Sequence, residues 1–298
     1  MPPDLGPARP ASTVVLLRDE VLGPEVFLLR RHGQSGFMAG ATVFPGGKVD
    51  ADDCAVGHVD LCAAACAQAL DMKDGPEARG FFVAALRELH EESHVLLATK
   101  PDGAAITQQD ITEFEADLQP MRQGHRLAGG AWHQLIEQRG WILQISALHP
   151  FAHWLTPRVE PRRFDTYFFC AILPQGQQAS LDPHEATHAF WLRPGEALDQ
   201  HNQGGEILLP PPTLHTLAAL DERPGPADAW LRALKAQGPG PLIEPWFLAN
   251  TPQGPAIVLH DDPSHPQPST GEAQPRCTLA WHRFVLQDGR FHYIRAQQ

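Results

Sequence analysis

Six consecutive residues, Arg87-Glu88-Leu89-His90-Glu91-Glu92, place three carboxylates and a guanidinium side by side. On a helix, Glu88, Glu91 and Glu92 fall within about 100° of one another, away from the apolar stripe. Like charges at i,i+3 and i,i+4 repel by roughly 0.2–0.5 kcal/mol per pair, and Arg87 relieves part of that by reaching Glu91 at i+4. A solvated acidic face is one account of such a run. A site for a hard divalent cation, held by one or two carboxylates together with substrate phosphates, is the other. The helix alone leaves both open. Upstream, Phe44-Pro45-Gly46-Gly47 exposes backbone with no side chain in the way, so a carbonyl can reach a metal and a ligand can approach.

A second run invites a different metal. His184-Glu185-Ala186-Thr187-His188 matches H-E-x-x-H, which on a helix would turn two histidines toward zinc as in a metalloprotease. Pro183 and Pro194 bracket only ten residues, and ATHAFWL reads as strand, which argues against it. His58, Cys62 and Cys66 fall at i, i+4 and i+8; small buried thiols among alanines explain them more simply than a soft-metal stripe. His149, His153 and His260-Asp261-Asp262 lack completing ligands and read as structural or solvated. Trp154, Tyr167, Phe168 and Trp191 read as core.

The elements around these residues follow from pattern. Residues 12–18 and 26–31 read as a hairpin around Leu22-Gly23-Pro24. A short run from Ala41 to Phe44 follows. Alanine-rich residues 58–70 look helical. Pro76 suits a first helical turn, and Phe82, Ala85, Leu86, Leu89 and Leu96 recur with the helical period, predicting a helix over 77–98. Short helices are expected in 111–139 and near 212–220 and 226–236. Strands are expected at 164–173 and 188–193, and a final hairpin in 278–295 around Asp288-Gly289. Interleaved strands and helices imply a mixed sheet covered by helices.

Composition narrows the function classes. The chain has 298 residues and a net charge of −12, from 23 basic and 35 acidic side chains, which argues against nucleic acid or anionic membrane as partner. No window reaches the roughly 18 apolar residues of a membrane span, and the first residues lack the apolar core of a leader. Five cysteines without close pairs fit a reduced, cytoplasmic protein. Fourteen of the 29 prolines lie between Pro210 and Pro275, so the last quarter is the irregular part.

Taken together, Val43-Phe44-Pro45-Gly46-Gly47 and Arg87-Glu88-Leu89-His90-Glu91-Glu92 resemble the box of the Nudix hydrolases. Chance would give R-E-x-x-E-E about 0.003 times per chain, against about 0.05 for the zinc pattern, so the carboxylate run carries the weight. The chain is similar above all to the coenzyme A diphosphatase-like subgroup with an interrupted box. Leu28-Leu29-Arg30-Arg31, Gly36-Phe37-Met38-Ala39-Gly40, Trp154-Leu155-Thr156-Pro157, Arg162-Arg163-Phe164-Asp165-Thr166 and Pro211-Pro212-Thr213-Leu214 carry that likeness, over about 12–220. There are departures. Arg87 follows Gly47 by 40 positions, some 26 more than an uninterrupted box allows. The box's earlier glutamate has no clean counterpart, Glu77 being two positions off, and His94 stands where the box has glycine.

The resemblance implies an α/β fold, a Nudix α/β/α sandwich with a mixed sheet. It would comprise a hydrolase domain over 11–209, with insertions at 48–76 and 100–148, and a proline-rich C-terminal extension over 210–298 packing on the core. It implies hydrolysis of a nucleoside diphosphate linked to another moiety. Coenzyme A or acyl-coenzyme A is the first choice, giving 3′,5′-ADP and phosphopantetheine products. ADP-ribose, NADH and a non-catalytic nucleotide sensor are the alternatives, the sensor being disfavoured because all three carboxylates are present. Glu88, Glu91, Glu92 and the Gly47 carbonyl would hold Mg²⁺ or Mn²⁺. Arg87 would act with them, and Glu185 would be a further ligand or general base. Arg30, Arg31, Arg162 and Arg163, with Phe44, are the candidate substrate contacts. The Leu242 to Phe247 run and the final hairpin are candidate edges for a homodimer.

Overall fold

The computed structural model describes residues 7–32, 40–73, 75–123, 126–182, 186–238, 240–266 and 281–295. In chain order the first elements are β1 (Arg9–Glu20), β2 (Gly23–Arg31), β3 (Thr42–Val43), β4 (Gly46–Lys48), α1 (Ala51–Ala55), α2 (Ala63–Leu70) and α3 (Pro76–Ser93). Next come β5 (Ala98–Thr99), α4 (Gln108–Leu118), β6 (Arg122–Gln123), β7 (Arg126–Leu127), α5 (Ala131–Gln138), β8 (Ile142–Leu143), β9 (His149–Leu155), β10 (Phe164–Ile172) and β11 (Ala186–Leu192). The chain continues with α6 (Pro194–Asn202), α7 (Pro211–Asp221), α8 (Ala227–Gln237), β12 (Leu242–Ile243), β13 (Trp246–Leu248), β14 (Ala256–Val258), β15 (Trp281–Gln287) and β16 (Arg290–Arg295).

The main sheet runs β11-β2-β1-β10-β9-β12, with β3 on β2 and β4 on β1. It is mixed: β1 lies parallel to β10 and antiparallel to β2. Alternation along β1 explains why both faces are covered. Val14 and Leu16 enter one apolar cluster with Phe82, Leu86 and Leu89 of α3, while Val15 and Leu17 enter a second with Leu214 and Leu217 of α7 and Trp230 of α8. A strand buried on both sides reads as a continuous apolar run, as VVLL does. The result is the expected α/β/α sandwich. The extension closes on it: β12 pairs with β9 at the sheet edge, and β13 to β16 form a separate antiparallel sheet.

Two expectations on helix extent are corrected. The helix predicted over 77–98 stops at Ser93, because His94 takes a left-handed conformation (φ 55°, ψ 29°) and donates its N–H to the His90 carbonyl at 2.8 Å. That is a position glycine occupies without strain, and it ends a helix. Within 58–70 only Ala63–Leu70 is helical; Val59 instead bridges to Leu143. His58, Cys62 and Cys66 therefore share no helical face. Among the described residues, Cys54, Cys62, Cys66 and Cys170 are free thiols, and no helix is long and apolar enough to cross a membrane.

Candidate active site

The glycine loop is fixed by the central strand. β4 pairs with β1 so that Ser12 faces Gly47 and Thr13 faces Gly46, and Val14 N–H donates to the Pro45 carbonyl at 2.8 Å. A Cβ on Gly46 would stand 2.4 Å from the Ser12 carbonyl oxygen and 2.8 Å from Thr13 Cα. A Cβ on Gly47 would stand 2.4 Å from the Glu88 carboxylate. Two glycines thus let the loop touch β1 with one residue and α3 with the next. Gly46 N–H also donates to Glu92 Oε2 at 2.9 Å.

Helix α3 is buried on almost every side, and Glu88, Glu91 and Glu92 are half-buried. They do not form a solvated acidic face. The buried Arg87 organises them: Nη1 donates to Glu88 at 2.8 Å and to Glu91 at 3.3 Å, and Nη2 to the Lys48 carbonyl at 2.8 Å. A further partner is Asp53, fully buried on α1, which accepts from Nε and Nη2 at 2.9 Å each. Asp53 also accepts from Asp50 N–H and His133 Nε2, both at 2.8 Å. Burial alone would raise the Asp53 pKa, but the bonds from His133 and Arg87 outweigh it and hold the carboxyl below its ordinary range. Also on α3, burial lowers His90 to about 3, and its Nδ1 accepts from Trp132 Nε1 at 3.2 Å.

The carboxylates and Arg87 open into a cleft of about 1080 Å³. Of the residues expected to act, Phe44, Gly47, Arg87, Glu88, Glu91, Glu92 and Arg31 line it. Arg30, Arg162 and Arg163 stand outside its lining. Arg30 pairs with Glu206 at 3.2 Å, Arg163 donates to the Thr156 carbonyl at 3.0 Å, and Arg162 is exposed. Glu185 and His184 fall outside the described residues. His188 lies on β11, so the helix that H-E-x-x-H requires is absent at that end. Among the described residues no group of three or more His, Cys, Asp or Glu is gathered as a metal cluster.

Residues 67–220, just over half of the chain, match the family model of the NUDT19 Nudix domain. The chain belongs to the Nudix family. It is 31% identical over 228 residues to the human acyl-coenzyme A diphosphatase NUDT19, covering 66% of this chain and 60% of that protein. Its likeness to the Xenopus laevis protein of the same name is 28% over 226 residues, 66% of this chain and 59% of the relative. The chain thus spans about three-fifths of the length of these curated relatives. A solved Nudix hydrolase from Alicyclobacillus acidocaldarius aligns with a TM-score of 0.62 at 27% identity, over 80% of this chain and all of that one.

Within this Nudix site, sequence reasoning missed the partner of Arg87. Counting back from Arg87 leaves Glu77 two positions off; Asp53, six positions after Gly47, is the residue that Arg87 grips. It also missed His133, on α5, and the Arg122 and Asp182 side chains, all of which line the cleft. Nothing in their local spacing marks them.

Proposed function

We propose that this Nudix chain hydrolyses the diphosphate of coenzyme A or acyl-coenzyme A, giving 3′,5′-ADP and (acyl)phosphopantetheine. The observation that carries it is the packing of the α3 carboxylates onto the bare backbone of Gly46 and Gly47 in the wall of a large cleft. The names of the curated relatives support the choice of substrate.

The donor set suits a hard divalent ion: three carboxylates and a carbonyl, all oxygen. Glu88, Glu91, Glu92 and the Gly47 carbonyl would hold Mg²⁺ or Mn²⁺, which when bound offsets the diphosphate charge and lowers the pKa of water. The chain's own residues prepare the site. Arg87 neutralises part of the carboxylate repulsion and orients Glu88 and Glu91, while Gly46 N–H orients Glu92. Arg31 offers the substrate phosphates a cation, and Phe44 an apolar wall. Glu185 is a proposed further ligand or base.

The test is turnover of coenzyme A, ADP-ribose, NADH and diadenosine polyphosphates with Mg²⁺ or Mn²⁺, with products read by mass. Glu92→Gln is expected to lower kcat on the preferred substrate by about two orders or more, the range seen when one charge-stabilising group is lost, with the fold intact. Wild-type-like turnover in that variant would remove the carboxylates from the mechanism. Preferred cleavage of ADP-ribose or NADH would move the substrate.

A further inference from the structure

The cleft lining holds two chemically different groups of residues, and the second is built partly by residues beyond the 67–220 that match the family model. Besides the carboxylates, Trp154 and Phe168 from the main sheet and Pro245, Ile257 and Phe291 from the extension line the same space. Trp154, Phe168, Ile257 and Phe291 belong to one apolar cluster, on the face of the sheet away from α3. The register brings them together: Ile243 of β12 pairs with Trp154 of β9, which carries Pro245 alongside.

This wall is fixed in advance. The fully buried His201 accepts Leu209 N–H on Nδ1 at 3.0 Å and donates from Nε2 to the Phe291 carbonyl at 2.8 Å. Arg290 donates to the carbonyls of Gly205, Ile207 and His201. The final hairpin is thereby bolted to the loop that leads into α7. Ile257 and Phe291 nevertheless stay half-buried, so their rings and methyls remain available to a ligand.

We infer that the extension forms the subsite for the fatty acyl chain of the substrate, making Ile257 and Phe291 specificity determinants. The inference rests on the proposed coenzyme A reading. Four of the five side chains have no hydrogen-bonding group, and the indole N–H of Trp154 is buried. A polar arm would lose its hydration there without replacement, whereas a polymethylene chain gains by leaving water. The volume of about 1080 Å³ lies at the upper end of the roughly 300–1,000 Å³ usual for small-molecule sites, leaving room for more than a nucleotide.

The experiment compares kcat/KM for octanoyl-coenzyme A and free coenzyme A, with Mg²⁺, in wild type, Phe291→Ala and Ile257→Trp, with Tm recorded for each. A fully buried methylene is worth about fourfold, so a chain of eight carbons should raise the wild-type ratio above about ten. Phe291→Ala removes the wall and Ile257→Trp fills the space, and each should lower the ratio at least about tenfold at near-wild-type Tm. A ratio of one in wild type, or a ratio unchanged in the folded variants, overturns the subsite. A wild type that cleaves neither compound overturns the coenzyme A reading itself. If Phe291→Ala fails to fold, Ile257→Trp decides alone.

Discussion

Gly47→Ala separates catalysis from folding. A Cβ there would stand 2.4 Å from the Glu88 carboxylate, where ordinary contact begins near 3.4 Å, so the carboxylate must retreat by about 1 Å. The group that yields is the end of a flexible side chain, and Gly47 does not hold the left-handed backbone that alanine resists. Stability should therefore stay within about 1 kcal/mol of wild type, the less mobile unfolded chain offsetting part of the crowding. Catalysis should not survive as well, because a 1 Å misplacement can cost about 100-fold, equivalent to about 3 kcal/mol of barrier. Gly46→Ala is the contrasting variant. Its Cβ meets the Ser12 carbonyl and Thr13 Cα of the central strand, which cannot retreat, so about 1–3 kcal/mol of stability should be lost. Urea unfolding and steady-state hydrolysis of coenzyme A measure both. Wild-type kcat/KM in Gly47→Ala would refute the placement of Glu88 against the loop. So would a loss of stability equal to that of Gly46→Ala.

Asp53→Ala leaves the buried Arg87 guanidinium without its bidentate partner, and breaking such a pair costs about 3–5 kcal/mol, to be read by urea unfolding. Its residual activity, measured below its Tm, should fall too, since Arg87 then loses the orientation it imposes on Glu88 and Glu91. His215 supplies a pH dependence: burial pushes its pKa from 6.5 down to about 4. The unfolded chain binds a proton below about pH 6.5 that the fold refuses until about pH 4. Stability should thus fall as pH drops through that window, by about 3 kcal/mol at its foot. His215→Phe should flatten that part of the unfolding profile between pH 7 and 4, and an unchanged slope would show that His215 is not the group refusing protons.

The legible parts of this chain were those set by local pattern. The β1–β2 hairpin, the start of α3 at Pro76 and the β15–β16 turn at Asp288-Gly289 each carry their cause in adjacent residues. The end of α3 was not legible, because a histidine in a left-handed cap gives no signal where glycine would. The carboxylates and the glycine loop could be paired on chemical type alone. Asp53 and His133 could not, since what makes them partners is a bond between α1 and α5, 80 positions apart. Arg30 and Arg31 fared unevenly for a related reason: successive residues of a strand face opposite ways, so Arg31 lines the cleft while Arg30 turns to Glu206.

Some forty positions separate the two halves of the box, yet the site does not feel the distance. Ser12 explains why. Its backbone sets the register of Gly47, and its buried hydroxyl donates to the Phe81 carbonyl of α3 at 2.7 Å. Loop and helix are thus both referenced to one residue of the central strand, not to the chain that joins them. A longer connection then costs only the slowly growing entropy of loop closure, about 0.6 kcal/mol per doubling. Of the two proposed insertions, 48–76 carries Asp53 on α1 and 100–148 carries His133 on α5, and Arg87 Nε and His133 Nε2 both bond Asp53 Oδ1. Segments that could have been tolerated decoration brace the guanidinium that orients Glu88 and Glu91. Deleting either segment should therefore weaken catalysis through Arg87, read as a fall in kcat/KM on coenzyme A.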